Sequence, residues 1–185
     1  MTAGWEFQTA AAEETQVIAE RLGGMLQAGD LLILSGGLGA GKTTFTQGLG
    51  RGLGVRSGII SPTFVLVRIH PNLPDGPRPG GPDLVHVDAY RLGSSGEVDD
   101  IDLENTLDSA VTVVEWGAGL AEHLAESRLE VELVRAVGAA HAGLEDGAEA
   151  RLLRVTAVGP RWGGVDLSGL PCAADPASSD TEPMD

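Results

Sequence analysis

The chain has 185 residues, and 27 acidic against 12 basic side chains give it a formal net charge of −15. That field repels phosphate, which argues against a basic nucleic-acid grip on the chain's own surface and against adsorption to anionic membranes. Hydrophobic residues at 42% are enough for a buried core, so a wholly disordered chain is not expected.

The predicted elements alternate. Trp5–Thr9 has the period of a short strand, and Ala12–Gln27 carries Ile18, Leu22, Met25 and Leu26 at helical spacing. Leu31–Leu34 is a continuous apolar run bounded by Ser35 and Gly36, as in a strand covered on both faces. A helix follows over Thr43–Leu53, with Phe45 and Leu49 on one side and its later turns weakened by Gly48, Gly50 and Gly52. Thr63–Ile69 reads as a strand. His70–Asp83 holds five of the ten prolines and reads as a loop. Leu84–Asp88 is a strand ending in an acid, Glu97–Leu107 a short acidic surface helix, and Val111–Glu115 another apolar strand ending in an acid. Leu120–Ala125 looks helical. Leu129–Arg135 and Arg151–Val158 are strands joined by a Gly/Ala/acid loop. The pattern predicts an α/β fold, a three-layer sandwich around a mixed central sheet. Residues 1–160 form the expected domain. Residues 161–185 form an extension whose end, Cys172–Asp185, reads as a disordered acidic tail.

Cys172 is the only cysteine, so no intrachain disulfide can form. No apolar run approaches the ~20 residues of a membrane-spanning helix, and the amino terminus lacks a secretory pattern. A cytoplasmic protein with no membrane partner is expected.

Gly36-Gly37-Leu38-Gly39-Ala40-Gly41-Lys42-Thr43 fits G-x-x-x-x-G-K-[ST], after an apolar strand and before a helix that continues through Thr44. Glycines let such a loop turn its N–H groups towards phosphate oxygens, and the helix start adds partial positive charge. Lys42 is the only lysine beside eleven arginines. It would neutralise the β- and γ-phosphates, and the Thr43 hydroxyl would ligate Mg²⁺. With one lysine an N-K-x-D guanine-reading motif cannot exist, which favours ATP over GTP.

Such an enzyme needs carboxylates near Mg²⁺ at the carboxyl ends of apolar strands. Asp88 and Glu115 are the two candidates. The period of two puts His86, Asp88 and Tyr90 on one face. His86 reads as a packed residue more readily than as a ligand, and Trp116 as core more readily than as a cap on the site. Ser61-Pro62-Thr63-Phe64 follows the first helix of the loop unit, where nucleotide switches keep a hydroxyl that senses the γ-phosphate and Mg²⁺.

The strings GLGAGKTT, SPTF, HVDAYRL and VVEW, in this order over residues 9 to 158, resemble the TsaE (YjeE) family, the small ATPase of bacterial tRNA threonylcarbamoyladenosine formation. The resemblance implies ATP and Mg²⁺ as ligands, and TsaD and TsaB as partners through which tRNA is met indirectly. It implies that hydrolysis resets the complex between turnovers. It assigns the loop roles to Lys42 and Thr43, the switch role to Thr63, and the acids to Asp88 and Glu115, with Glu115 and Thr43 on the metal and Asp88 nearer the water. It implies a P-loop NTPase-like fold, puts the adenine site around Thr9–Ala12 and Arg151 among the nucleotide contacts, and places an acid where this chain has Gly37. Trp116, which follows Glu115, is the remaining candidate nucleotide contact, as a cap on the site. Two other readings share the loop: a small-molecule kinase recruiting Arg91 and Arg128, and a nucleotide-sensing module without hydrolysis.

Overall fold

Alternation along Leu31–Ser35 (β2) sends Leu32 and Leu34 to one face of a sheet and Leu31 and Ile33 to the other, and all four are buried. In the computed structural model, which describes residues 2–135 and 150–170, β2 is the middle strand of seven. The others are β1 (Thr2–Thr9), β3 (Val67–His70), β4 (Asp83–Asp88), β5 (Ala110–Glu115), β6 (Arg128–Arg135) and β7 (Arg151–Val158), in the order β1-β7-β6-β2-β5-β4-β3. Pairings β2–β5, β2–β6 and β4–β5 are parallel, while β1–β7, β6–β7 and β3–β4 are antiparallel. The sheet is mixed and the fold is the expected α/β sandwich.

Helices α1 (Ala12–Met25) and α2 (Lys42–Leu53) pack on each other over the larger core. Two of the glycines expected to weaken α2, Gly48 and Gly52, are what allow this approach. A Cβ at Gly48 would collide with the Gln16 carbonyl, and one at Gly52 with the Glu20 carbonyl. The second face carries a smaller core under the short helices α3 (Ser95–Asp99) and α4 (Glu104–Leu107).

Four expectations are corrected. The strand over Thr63–Ile69 begins only at Val67: the Pro62 carbonyl accepts the N–H groups of Val65 (3.0 Å) and Leu66 (2.7 Å), and Leu66 turns to φ 65°. The helix over Glu97–Leu107 is split where Asp102 takes φ 59°, which lets both Val98 and Leu103 reach the core. Leu120–Ala125 holds only a 3₁₀ turn, Glu122–Leu124. The first strand extends back to Thr2, since each of its residues finds a register partner along β7.

Beyond β7, Pro160–Trp162 forms a 3₁₀ turn, and Trp162, Leu167 and Leu170 are buried in the larger core. Arg161 donates twice to buried Asp30, at 3.1 and 3.2 Å, and ties this segment to the start of β2. Thus the described part of the expected extension is packed. The tail Cys172–Asp185 and most of the loop between β6 and β7 lie outside the described residues. Among those described, no helix is long and apolar enough to cross a membrane.

Candidate active site

Three parallel strands end at one edge and deliver the chemistry there. Register sets Glu115, at the end of β5, beside Leu34 of β2 and beside Asp88, which ends β4. The loop after β2 needs its glycines. Gly36 lies at φ 140°, where a Cβ would also strike the Leu133 carbonyl, and Gly41 at φ 104° leads directly into α2. No side chain caps α2, so its first turn presents backbone N–H groups without a local acceptor from the cap residue.

Lys42 folds back over this loop. Its Nζ donates to the carbonyls of Gly36 (2.8 Å) and Gly37 (3.0 Å) and stands 3.8 Å from the centroid of the Trp116 ring. Burial holds its pKa below the usual lysine value, an effect opposed by the charges of Glu115 and Asp88. Thr43 Oγ1 donates to Glu115 Oε1 at 3.3 Å. Asp88 is held from the other side: Oδ2 accepts the hydroxyls of Ser61 and Thr63, each at 2.7 Å, and Oδ1 accepts the Tyr90 N–H at 2.9 Å, which leaves Oδ1 capacity for one further donor.

These groups surround a cleft of about 550 Å³, within the range of small-molecule sites. Of the sequence-predicted residues, Leu38, Gly39, Gly41, Lys42, Thr43, Thr44, Thr63, Asp88, Glu115, Trp116 and Arg151 line it. Gly36, Gly37 and Ala40 stand behind, the first two holding Lys42 and the third accepting the Arg151 Nε at 3.0 Å. Thr9 pairs in register with Arg151, but its hydroxyl is buried against that of Thr15 at 3.0 Å and does not line the cleft.

Trp116, read both as core and as a contact at the site, is half-buried at the cleft, 5.0 Å from the Tyr90 ring; a positive φ of 61° turns it out of the strand pattern. Either Ser61 or Thr63 could supply the hydroxyl of this turn, and the structure uses both, on Asp88. Two contributors were not singled out as site residues. Tyr90 lines the cleft. Arg135 donates its Nε to the Gly39 carbonyl at 3.2 Å and stands opposite Arg151 in the β6–β7 register, a placement no local pattern in the sequence signals. Arg128 starts β6 beside Glu130, at the end of the sheet away from the loop, so it cannot serve as a cation over the phosphates.

The donor set suits a hard divalent cation. No cluster of three or more His, Cys, Asp or Glu occurs among the described residues. The cleft instead offers two carboxylates with hydroxyls beside them, the set with which Mg²⁺ binds alongside substrate phosphates and water.

A glycine loop between a central parallel strand and a helix, with strand-end acids facing it, defines a phosphate-loop α/β protein. The family model described as "Threonylcarbamoyl adenosine biosynthesis protein TsaE" matches residues 9–141. The chain is 51% identical over 154 residues to the tRNA threonylcarbamoyladenosine biosynthesis protein TsaE of Streptomyces coelicolor, covering 83% of this chain and 97% of that protein. Identity to the Bacillus subtilis protein of the same name is 35% over 158 residues, covering 85% of this chain and 88% of that one. The crystal structure of Bacillus subtilis YdiB superposes with a TM-score of 0.64 at 31% identity, over 88% of this chain and 91% of that one. This chain belongs to the TsaE family.

Proposed function

We propose that the chain binds ATP with Mg²⁺ in this cleft and hydrolyses it within tRNA threonylcarbamoyladenosine formation, resetting a TsaB–TsaD complex between turnovers. The observation that carries this reading is the convergence of Lys42, Thr43, Asp88 and Glu115 on one cleft at the glycine loop. The pathway is taken from the relatives, which are named for it.

In this reading the backbone of Gly36–Gly41 and the start of α2 cradle the phosphates. Lys42 leaves the two loop carbonyls for phosphate oxygens, whose negative charge offsets the cost of its burial. Glu115 and the Thr43 hydroxyl hold Mg²⁺, which when bound neutralises charge that develops on the phosphates. Asp88 keeps the Ser61 and Thr63 hydroxyls in place and orients the attacking water. The net charge of −15 leaves tRNA to the partners. Leu38 and Tyr90 at the cleft and Phe64 beside Thr63 are exposed, a surface suited to cover by a protein.

The test is reconstitution of tRNA threonylcarbamoylation by TsaB and TsaD with and without this protein, counting turnovers while following ATP hydrolysis. Many turnovers only with the protein and ATP are expected. A turnover count that ignores the protein, or no hydrolysis with both partners present, overturns the reading. Phosphorylation of a nucleoside or sugar far above the hydrolysis rate would make it a kinase.

A further inference from the structure

One buried side chain behind the cleft has no task in that scheme. His86 lies on β4 two residues before Asp88, is wholly buried, and has its Nε2 2.7 Å from Glu115 Oε1. A carboxylate oxygen accepts, so Nε2 carries a proton. Nδ1 finds no hydrogen-bond partner among the described residues. An orphaned buried nitrogen destabilises the fold, and an apolar side chain of the same size would fill this space without that cost. Packing therefore does not explain an imidazole here; the bond to Glu115 does.

The same Oε1 also receives the Thr43 hydroxyl. Both donors fall on one oxygen, and among the described residues Oε2 receives none. We infer that His86 is a positioning residue: its Nε2–H holds the Glu115 carboxylate in one rotation, with Oε1 occupied from behind and Oε2 left as the oxygen for a divalent cation. Outer groups that orient a ligating carboxylate act in this way on metal affinity. The inference rests on the reading of Glu115 as a metal ligand.

The experiment compares wild type with His86→Leu, which removes the donor, and His86→Gln, whose amide N–H can reach Oε1. Mg²⁺ is titrated by calorimetry into protein saturated with a non-hydrolysable ATP analogue, and analogue affinity is measured separately in EDTA. His86→Leu is expected to weaken Mg²⁺ about ten- to a hundredfold while His86→Gln recovers most of it, with metal-free analogue affinity held within about threefold throughout. Unchanged Mg²⁺ affinity in His86→Leu, or a His86→Gln no better than His86→Leu, overturns the inference. A wild type whose analogue binding takes up no Mg²⁺ overturns the metal reading of the cleft instead, and the inference with it. Should His86→Leu fail to fold, nitrogen NMR of wild-type protein decides: a protonated Nε2 is expected, and a bare Nε2 overturns the assignment.

Discussion

Asp30 and Lys42 stand at opposite ends of β2 and are almost equally buried, at 4% and 5% exposure, yet the fold treats them differently. Asp30 is closed off. Its two oxygens take both donors of Arg161 and the Gln27 N–H at 2.8 Å. Lys42 belongs to none of the ion pairs among the described residues; its ammonium rests on two peptide carbonyls and one face of Trp116, with Glu115 and Asp88 acting only through their field. A buried charge whose bonds are complete acts as a lock between segments. A buried charge held by neutral carbonyls keeps the capacity to meet an anion. One end of the central strand is finished structure, and the other is poised for a ligand.

The largest effect should come from the poised end. Lys42→Ala removes the one loop cation, and hydrolysis measured with TsaB and TsaD should fall at least about a hundredfold, the scale of losing a single transition-state electrostatic contact. A mutant with wild-type turnover would mean that this lysine is another structural lock, and the contrast with Asp30 would vanish.

The two acids sharpen the same end. Glu115→Gln and Asp88→Asn keep shape and remove charge, and each should lower hydrolysis about ten- to a hundredfold. Excess Mg²⁺ should partly rescue Glu115→Gln, whose hydroxyl neighbour is Thr43, and should not rescue Asp88→Asn, whose carboxylate is already held by Ser61, Thr63 and the Tyr90 N–H. Rates measured across Mg²⁺ concentrations decide it. The reverse pattern of rescue would exchange the two roles.

At the finished end the loss should be in stability alone. Asp30→Ala strands Arg161 and the Gln27 N–H, at a cost of about 1.5–3 kcal/mol for bonds to a charged group. For a chain of this size that lowers Tm by roughly 2–4 °C per kcal/mol. Nucleotide affinity should not move. A mutant that melts like wild type but binds ATP poorly would reverse the comparison.

How much of this was legible in the sequence follows from how local each cause is. The loop over Gly36–Thr43 and the strand-end acids Asp88 and Glu115 could be read directly, because short covalent spacing and an apolar run put them in place. Trp116 could be read either as core or as a contact, because its exit from the core depends on a positive φ that no pattern of neighbours announces. Arg135 reaches Gly39 only because β6 pairs parallel with β2, far from it in the chain. Gly48 and Gly52 read as helix weaknesses because their use is tertiary, against α1. Trp162, Leu167 and Leu170 have no period of their own, and the lock between Arg161 and Asp30 joins residues far apart in the chain.

The smallest effect separates binding from stability at Lys42 itself. Because burial lowers its pKa in the folded chain, protonation is easier in the unfolded chain, whose lysine titrates near 10.5. Between the folded value and 10.5 the unfolded state therefore binds more protons, so wild-type stability rises with pH across that window. Below that window both states are protonated and the cost is fully present. Lys42→Met has no such proton to lose. Without nucleotide it should melt no lower than wild type at pH 7, and any margin in its favour should shrink as pH approaches 10.5. Adding ATP and Mg²⁺ should reverse the order, since only wild type gains the anion that its ammonium awaits. Melting curves over this pH range, with and without nucleotide, check both halves. A variant markedly less stable than wild type at pH 7 without ligand would show that the carbonyls of Gly36 and Gly37 satisfy Lys42 as fully as Arg161 satisfies Asp30.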